Sequence, residues 1–365
     1  MIFFSLIILL LYSVVFILFR FSWKNLKKNF SSLDVSTSII IAVRNEEENI
    51  LNLLKDISAQ NYPKKNIETI LVDDGSSDKT LQILKENKSR FDFKLYQLSG
   101  GNKGKKQAIQ EGVKHAKGNI LLFTDADCRL NKNWAVEMLS IFNDKSVSMV
   151  SGPVMFIENN ILDKIQNLEF LSLIGTGAAS IGLHSPLFCN GANLAIRKSI
   201  FEKNKNKIRN EISSGDDVFL MHSVKNNSKK SIRFMKSFEA IVLTQPKKNI
   251  NEFINQRKRW TKKSIFYSDK DTIFLGFLIL LMHLNVVALV FNSILYSEFL
   301  TLIFIFISKF LIDLFFLHEI LKFFKKKNLI KYLFFVEILY CFYIPYIMII
   351  SLFTKFEWKG RSLSK

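Results

Sequence analysis

Asn119-Ile120-Leu121-Leu122-Phe123-Thr124-Asp125-Ala126-Asp127 is a short apolar run that stops at two carboxylates one residue apart. The run reads as a buried strand. Paired carboxylates at a strand's end can hold a hard divalent cation whose other ligands are waters and a diphosphate. The same letters also occur in solvated surface turns.

Upstream, the same unit repeats. Ser38-Ile39-Ile40-Ile41-Ala42-Val43 is a β-branched strand run, and Asn45-Glu46-Glu47-Glu48 is expected to open a helix with acids at its positive end. Glu68-Thr69-Ile70-Leu71-Val72 is a second strand, stopped by Asp73-Asp74-Gly75-Ser76-Ser77, with Asp78 placed to cap the next helix. Lys94 to Leu98 gives a third strand. Gly100 to Lys106, rich in Gly and Lys, then leads into a helix ending near His115. Such alternation predicts an α/β fold, a mostly parallel sheet with helices on both faces. Ligands of open sheets bind beyond the strands' carboxyl ends, where Asp73, Asp74, Asp125 and Asp127 fall.

Among the 365 residues, apolar side chains pile up at the two ends of the chain. Residues 2–19 carry no charge and nearly reach the roughly 20 residues that cross a bilayer. No basic segment precedes them, and Arg20, Lys24, Lys27 and Lys28 follow, which favours an uncleaved anchor with a cytoplasmic basic end over a signal peptide. Three more apolar blocks lie near 273–294, 298–317 and 330–353. The expected organisation is a membrane anchor at 1–20, a cytoplasmic domain at 35–265, about three membrane helices within 272–353 and a basic tail at 354–365. Four spans from an outside amino terminus would leave the tail outside, whereas Lys355, Lys359, Arg361 and Lys365 favour the cytoplasm, with Trp358 suited to the headgroup level. One block is therefore expected not to span, and Pro345 is placed to break the last.

The net charge of +19 does not point to nucleic acid, because no aromatic-and-basic reader motif accompanies it. Lysines flanking the apolar blocks (Lys262, Lys263, Lys322, Lys325 to Lys327, Lys331) suit anionic headgroups instead. Cys128, Cys189 and Cys341 are odd in number and in no metal-ligand spacing, so no disulfide framework is expected. The five histidines are scattered and read as structural or solvated.

Six ordered segments carry a resemblance: Val72-Asp73-Asp74-Gly75-Ser76, Gly104-Lys105, Thr124-Asp125-Ala126-Asp127, Asn190-Gly191-Ala192-Asn193, Gly215-Asp216-Asp217 and Gln256-Arg257-Lys258-Arg259-Trp260. Over most of 36–265 the chain resembles the family 2 inverting glycosyltransferases of GT-A fold, the group of the cellulose, chitin and hyaluronan synthases. The resemblance implies that Asp73 and Asp74 contact the nucleotide's base and ribose, although an Asp-Gly turn closing a strand has the same letters. It puts Lys105 at the nucleotide or diphosphate, against a plain reading as surface charge in a basic loop. Asp125 and Asp127 would hold Mg2+ or Mn2+ against the diphosphate.

By the same resemblance Asp217 is the base that takes the acceptor's proton, with Asp216 standing where glutamate is commoner. Gln256, Arg259 and Trp260 form a Gln-x-x-Arg-Trp motif, in which Trp260 offers a face for an acceptor sugar and Arg259 a partner for the diphosphate. Asn193 closes an acceptor-side turn that also reads as an ordinary Asn-Gly turn. Ala108-Ile109-Gln110 departs from the family's commoner Ala-Leu-Asn.

The implied protein is a multi-pass enzyme of the cell (inner or plasma) membrane, moving a sugar from a nucleotide donor, UDP-linked by the resemblance, to a lipid, a lipid-linked glycan or a growing polysaccharide at the cytoplasmic face. The alternative is a catalytically inactive, sugar-nucleotide-binding subunit docked on partner proteins of an envelope assembly.

Overall fold

The computed structural model describes residues 2–26, 34–99, 103–207, 215–353, 356–358 and 361–363. Lys27, Lys28, Gly100 to Asn102, Lys355, Lys359 and Lys365, used in the sequence reading, lie outside them, as do the side chains of Trp358 and Arg361.

The helices are α1 (Ile2–Asn25), α2 (Ile50–Ser58), α3 (Thr80–Glu86), α4 (Lys105–His115), α5 (Trp134–Ser140), α6 (Ile161–Gly182), α7 (Lys198–Asn204), α8 (Asp216–Asn227), α9 (Ile250–Ser264), α10 (Lys270–Tyr296), α11 (Leu300–Phe323) and α12 (Ile330–Phe353). The strands are β1 (Thr37–Val43), β2 (Ile67–Asp73), β3 (Lys94–Gln97), β4 (Ile120–Phe123), β5 (Arg129–Leu130), β6 (Met149–Ser151), β7 (Val154–Phe156), β8 (Leu194–Arg197), β9 (Ile232–Phe234), β10 (Val242–Thr244), β11 (Phe356–Trp358) and β12 (Arg361–Leu363).

Among the described residues the main sheet runs β3-β2-β1-β4-β8-β6-β9. β3, β2, β1 and β4 are mutually parallel, and β8 alone runs against its neighbours β4 and β6. β1 and β4 are almost wholly buried, as expected of parallel strands covered on both faces. Ile39 and Ile41 pack on one face, with α2 and α5, while Ile40 and Leu121 pack on the other. A second sheet, β5-β10-β7, flanks the first.

Topology positions the site. Val43 pairs with Asp73 and Ile40 with Phe123, so the loops after β1, β2 and β4 leave along one edge. Because β8 is antiparallel, Leu194 at its start lies beside Phe123 at the end of β4. The turn at 190–193 is thereby brought to that same edge.

Two local expectations need correction. No helix opens at Asn45: its φ is +51°, a left-handed conformation that Asn tolerates, and the chain turns before α2 starts at Ile50. Asn45 instead accepts a hydrogen bond from Ser77 N–H at 2.8 Å, lacing the β1 and β2 loops together. Nor does Pro345 break the last block, since α12 runs through it. Neighbouring helices re-satisfy backbone groups freed by one missing N–H. Asp78 does accept from Thr80 N–H at the start of α3, at 3.0 Å.

Among the described residues four helices, α1, α10, α11 and residues 327–353, are long and apolar enough to cross a membrane. Gly182 on α6 lets α1 approach so closely that a Cβ there would meet Ser22 Oγ at 2.3 Å. Ser22 Oγ donates to Ala179 O at 2.6 Å across that contact. Arg20 pairs with Glu319 of α11 at 3.1 Å, and Lys236 donates to Trp23 O. The helices are thus fastened to the α/β domain at the basic end of α1.

Candidate functional site

A cavity of about 760 Å³ opens at the carboxyl edge of the main sheet. Asp74, Lys105, Asp125, Asp127, Asp216, Asp217, Gln256, Arg259 and Trp260 all line it. Residues separated by some 190 positions in sequence therefore meet at one place.

Lys105 opens α4, and its Nζ donates to Asp125 Oδ1 at 2.5 Å. Burial by itself lowers the Lys105 pKa, but Asp125, Asp216 and Asp217 outweigh it and hold the ammonium charged beyond the usual lysine range. Gly104 N–H donates to Asp74 Oδ1 at 2.8 Å, tying the Gly-Lys segment to the β2 loop.

The acidic pair sits in the first turn of α8, where the helix dipole favours negative charge. Gly215 before it has φ +86°, which few side chains adopt. Asp217 accepts from Gly191 N–H at 2.9 Å and from Val218 N–H at 2.8 Å, and Lys263 Nζ stands 4.0 Å away. Its carboxylate is therefore aimed by backbone donors. Burial pushes the Asp216 pKa up, Lys105 draws it down and Asp217 pushes it up again, leaving it above the ordinary value.

α9 lies across the cavity. Burial lowers the Arg259 pKa, and the fields of Asp125, Asp216 and Asp217 oppose that shift. Arg257, also on the cavity wall, makes a bidentate pair with Glu169 of α6, with Nε–Oε1 at 3.0 Å and Nη2–Oε2 at 2.6 Å. Its guanidinium lies 4.3 Å from the centre of the Trp260 ring, which fixes that ring's position.

Two sequence assignments do not fit. Asn193 is fully buried, and its amide is committed: Nδ2 donates to Pro153 O and Ala240 O, both at 2.8 Å, while Oδ1 accepts from Trp134 Nε1 at 2.9 Å. It holds the turn and does not face an acceptor. Asp73 does not line the cavity, and its carboxylate accepts from Gly75 and Ser76 of its own turn. Of the acidic pair ending β2, Asp74 is the one on the cavity wall.

Sequence reading missed Arg44, Arg257, Glu169 and Tyr267, all on that wall. Arg44 was findable, since it directly follows β1 and donates to Asp74 O at 2.7 Å and Gly75 O at 3.0 Å. Glu169 sits in the middle of α6 with no local signal. The three cysteines are free, and His222 Nε2 lies 2.8 Å from Leu187 O, a structural contact.

Asp125 and Asp127 offer oxygen donors of the kind a hard divalent cation takes. Among the described residues no group of three His, Cys, Asp or Glu gathers, so the protein's share of such a site is two carboxylates. That suits a cation whose other positions belong to a diphosphate and water.

Residues 38–204 match the model of Glycosyl transferase family 2. The match takes in Asp74, Lys105, Asp125 and Asp127 and stops before Asp216 and Gln256. The chain is 35% identical over 140 residues to a poly-beta-1,6-N-acetyl-D-glucosamine synthase of Staphylococcus epidermidis, covering 38% of this chain and 33% of that protein. It is 33% identical over 123 residues to Glycosyltransferase AglE of Haloferax volcanii, covering 34% and 40%. The aligned stretches thus span a third to two-fifths of those relatives' lengths. The fold is similar to that of a mannosyltransferase from Pyrobaculum calidifontis solved with GDP-Man and Mn2+, at 15% identity and TM-score 0.58 over 93% of this chain and 98% of that one. Residues 38–204 thus match the glycosyl transferase family 2 domain on an α/β fold of GT-A type, in a chain whose described residues also include four helices apolar enough to cross a membrane.

Proposed function

We propose that the protein is a membrane-bound, metal-dependent, inverting glycosyltransferase whose catalytic domain faces the cytoplasm. The observation that carries this reading is the convergence of Asp217, Lys105, Arg259 and the Asp125/Asp127 pair on one cavity. The basic end of α1, where Lys24 follows a Trp23 packed on Phe234 of β9, supports the cytoplasmic side.

The chemistry follows from the charges. A nucleotide sugar brings a diphosphate to the sheet edge, where Lys105 and Arg259 supply positive charge and Asp74 stands ready for a ribose or base donor. A divalent cation, when held by Asp125 and Asp127, offsets the charge that grows on the departing nucleoside diphosphate. Asp217, fixed by Gly191 and Val218 N–H, takes the proton from the acceptor hydroxyl as that oxygen attacks the anomeric carbon. Attack opposite the leaving group in one displacement inverts the anomeric centre. Gln256, whose Oε1 accepts from Arg257 Nη1 at 2.5 Å, and the Trp260 ring form the acceptor side.

A panel of UDP- and GDP-sugars offered to the full-length protein in detergent tests this reading and names the base. Asp217→Asn is expected to lower transfer by about 10²- to 10⁴-fold, the range of a lost general base, with donor affinity retained. Chelation should stop turnover, and added Mn2+ or Mg2+ should restore it. Equal rates for wild type and D217N would remove Asp217 from the role.

A further inference from the structure

The cavity does not end at the carboxylates. It continues between α6, α10 and α12, where Leu173, Ile174, Phe277, Leu280, Ile344 and Ile347 form an aliphatic and aromatic wall. From Thr272 to Leu280 on α10 it runs about 12 Å, at 1.5 Å per residue. Ile273 and Phe277, 51% and 61% exposed, stand at its rim on a helix apolar enough to cross a membrane, so the crevice opens toward lipid. Gly276 also lines it, and a Cβ built there has nothing within 4 Å. Tyr343 of α12 also lies on this wall. The Tyr343 hydroxyl is buried and, among the described residues, has no hydrogen-bond partner.

We propose that the acceptor is a membrane lipid with a free hydroxyl, its apolar chain in the α6–α10–α12 crevice and its hydroxyl at Asp217. This rests on the glycosyltransferase reading above. A growing glycan would need hydrogen-bond partners along its path, and the apolar crevice wall would leave its hydroxyls unpaired. A chain of methylenes loses nothing there. Tyr343 can donate to an ester or ether oxygen between chain and head. A lipid phosphate is the poorer fit, because it carries no proton that Asp217 must remove. In the step, the lipid hydroxyl gives its proton to Asp217, its oxygen bonds to the anomeric carbon, and the bond from that carbon to the diphosphate breaks with its electron pair leaving on the nucleoside diphosphate. The products are a lipid glycoside, the nucleoside diphosphate and a protonated Asp217.

The test uses full-length protein in phosphatidylcholine vesicles containing 10 mol% dioleoylglycerol, a hydroxyl lipid, beside water-soluble chito-oligosaccharides, with radiolabelled donor sugars. Label is expected in the organic phase. Gly276→Leu, which adds an apolar side chain where a Cβ meets open space, is expected to lower the ratio of lipid transfer to donor hydrolysis at least tenfold. Ile294→Leu, on the lipid-exposed surface of α10, should leave that ratio unchanged. Label in the oligosaccharide alone, label in no vesicle lipid while donor is hydrolysed, or a G276L ratio equal to wild type overturns the lipid assignment. Absence of both hydrolysis and transfer with every donor overturns the glycosyltransferase reading itself.

Discussion

Asn193 and Asp217 sit on either side of one turn and do different work. Asn193 satisfies two carbonyls and an indole N–H in the dry interior, so Asn193→Ala orphans three polar groups at once. At about 1–3 kcal/mol for each unsatisfied group, the variant should lose roughly 3 kcal/mol or more of stability. Thermal unfolding in detergent is the measurement. An unchanged Tm together with a raised acceptor KM would return Asn193 to the acceptor side. Asp217 receives Gly191 N–H from the same turn, so the Asn-Gly segment is better described as the scaffold of the base.

α10 begins at a charged seam. Asp269 is its N-cap, accepting from Thr272 N–H at 2.9 Å, and it shares the buried Lys225 ammonium with Asp271. Burial works to raise the Asp269 pKa, but hydrogen bonds from Lys225 and Thr272 prevail and hold it below the usual carboxylate value. A depressed folded-state pKa adds stability that is present above the unfolded value near pH 4 and lost as pH falls through the folded one. Tm measured from pH 7 down to pH 3 should therefore drop on the acid side. In Asp269→Asn that acid-side drop should be smaller, with a lower Tm at pH 7. Parallel curves for the two proteins would show that the seam does not couple α8 to α10.

At the scale of the molecule, α12 is held against the α/β domain at both ends. The loop before it is fixed by Lys326 to Glu158 at 2.9 Å, its Tyr343 stacks on Phe253 of α9 with ring centres 5.8 Å apart, and β11 after it lies against α9. This bears on the conflict between four spans and a basic tail. A helix that returns to the domain would leave the tail on the domain's side, where Lys355, Lys359, Arg361 and Lys365 favour the cytoplasm. A single cysteine introduced at the tail, in a background lacking Cys128, Cys189 and Cys341, should be labelled by an impermeant maleimide from the same side as one placed in the loop at 88–90. Labelling from opposite sides would make α12 a full crossing.

What the sequence determined by itself was local and periodic. β-branched runs alternating with helical stretches specified the parallel strands β1 to β4 and put Asp74, Asp125 and Asp127 beyond their ends, because side-chain period and strand-end chemistry are properties of adjacent residues. Apolar length likewise marked the four long helices. What only the tertiary structure decided was which polar groups are already partnered and where distant segments meet. The same Asp-Asp and Asn-Gly letters serve a turn or a ligand, and hydrogen bonds already made within the fold commit Asp73 and Asn193 to the turn. Glu169 finds Arg257 across 88 positions, and the crevice behind Trp260 exists only because α6, α10 and α12 converge. Such contacts depend on packing between elements, which no short window of sequence encodes.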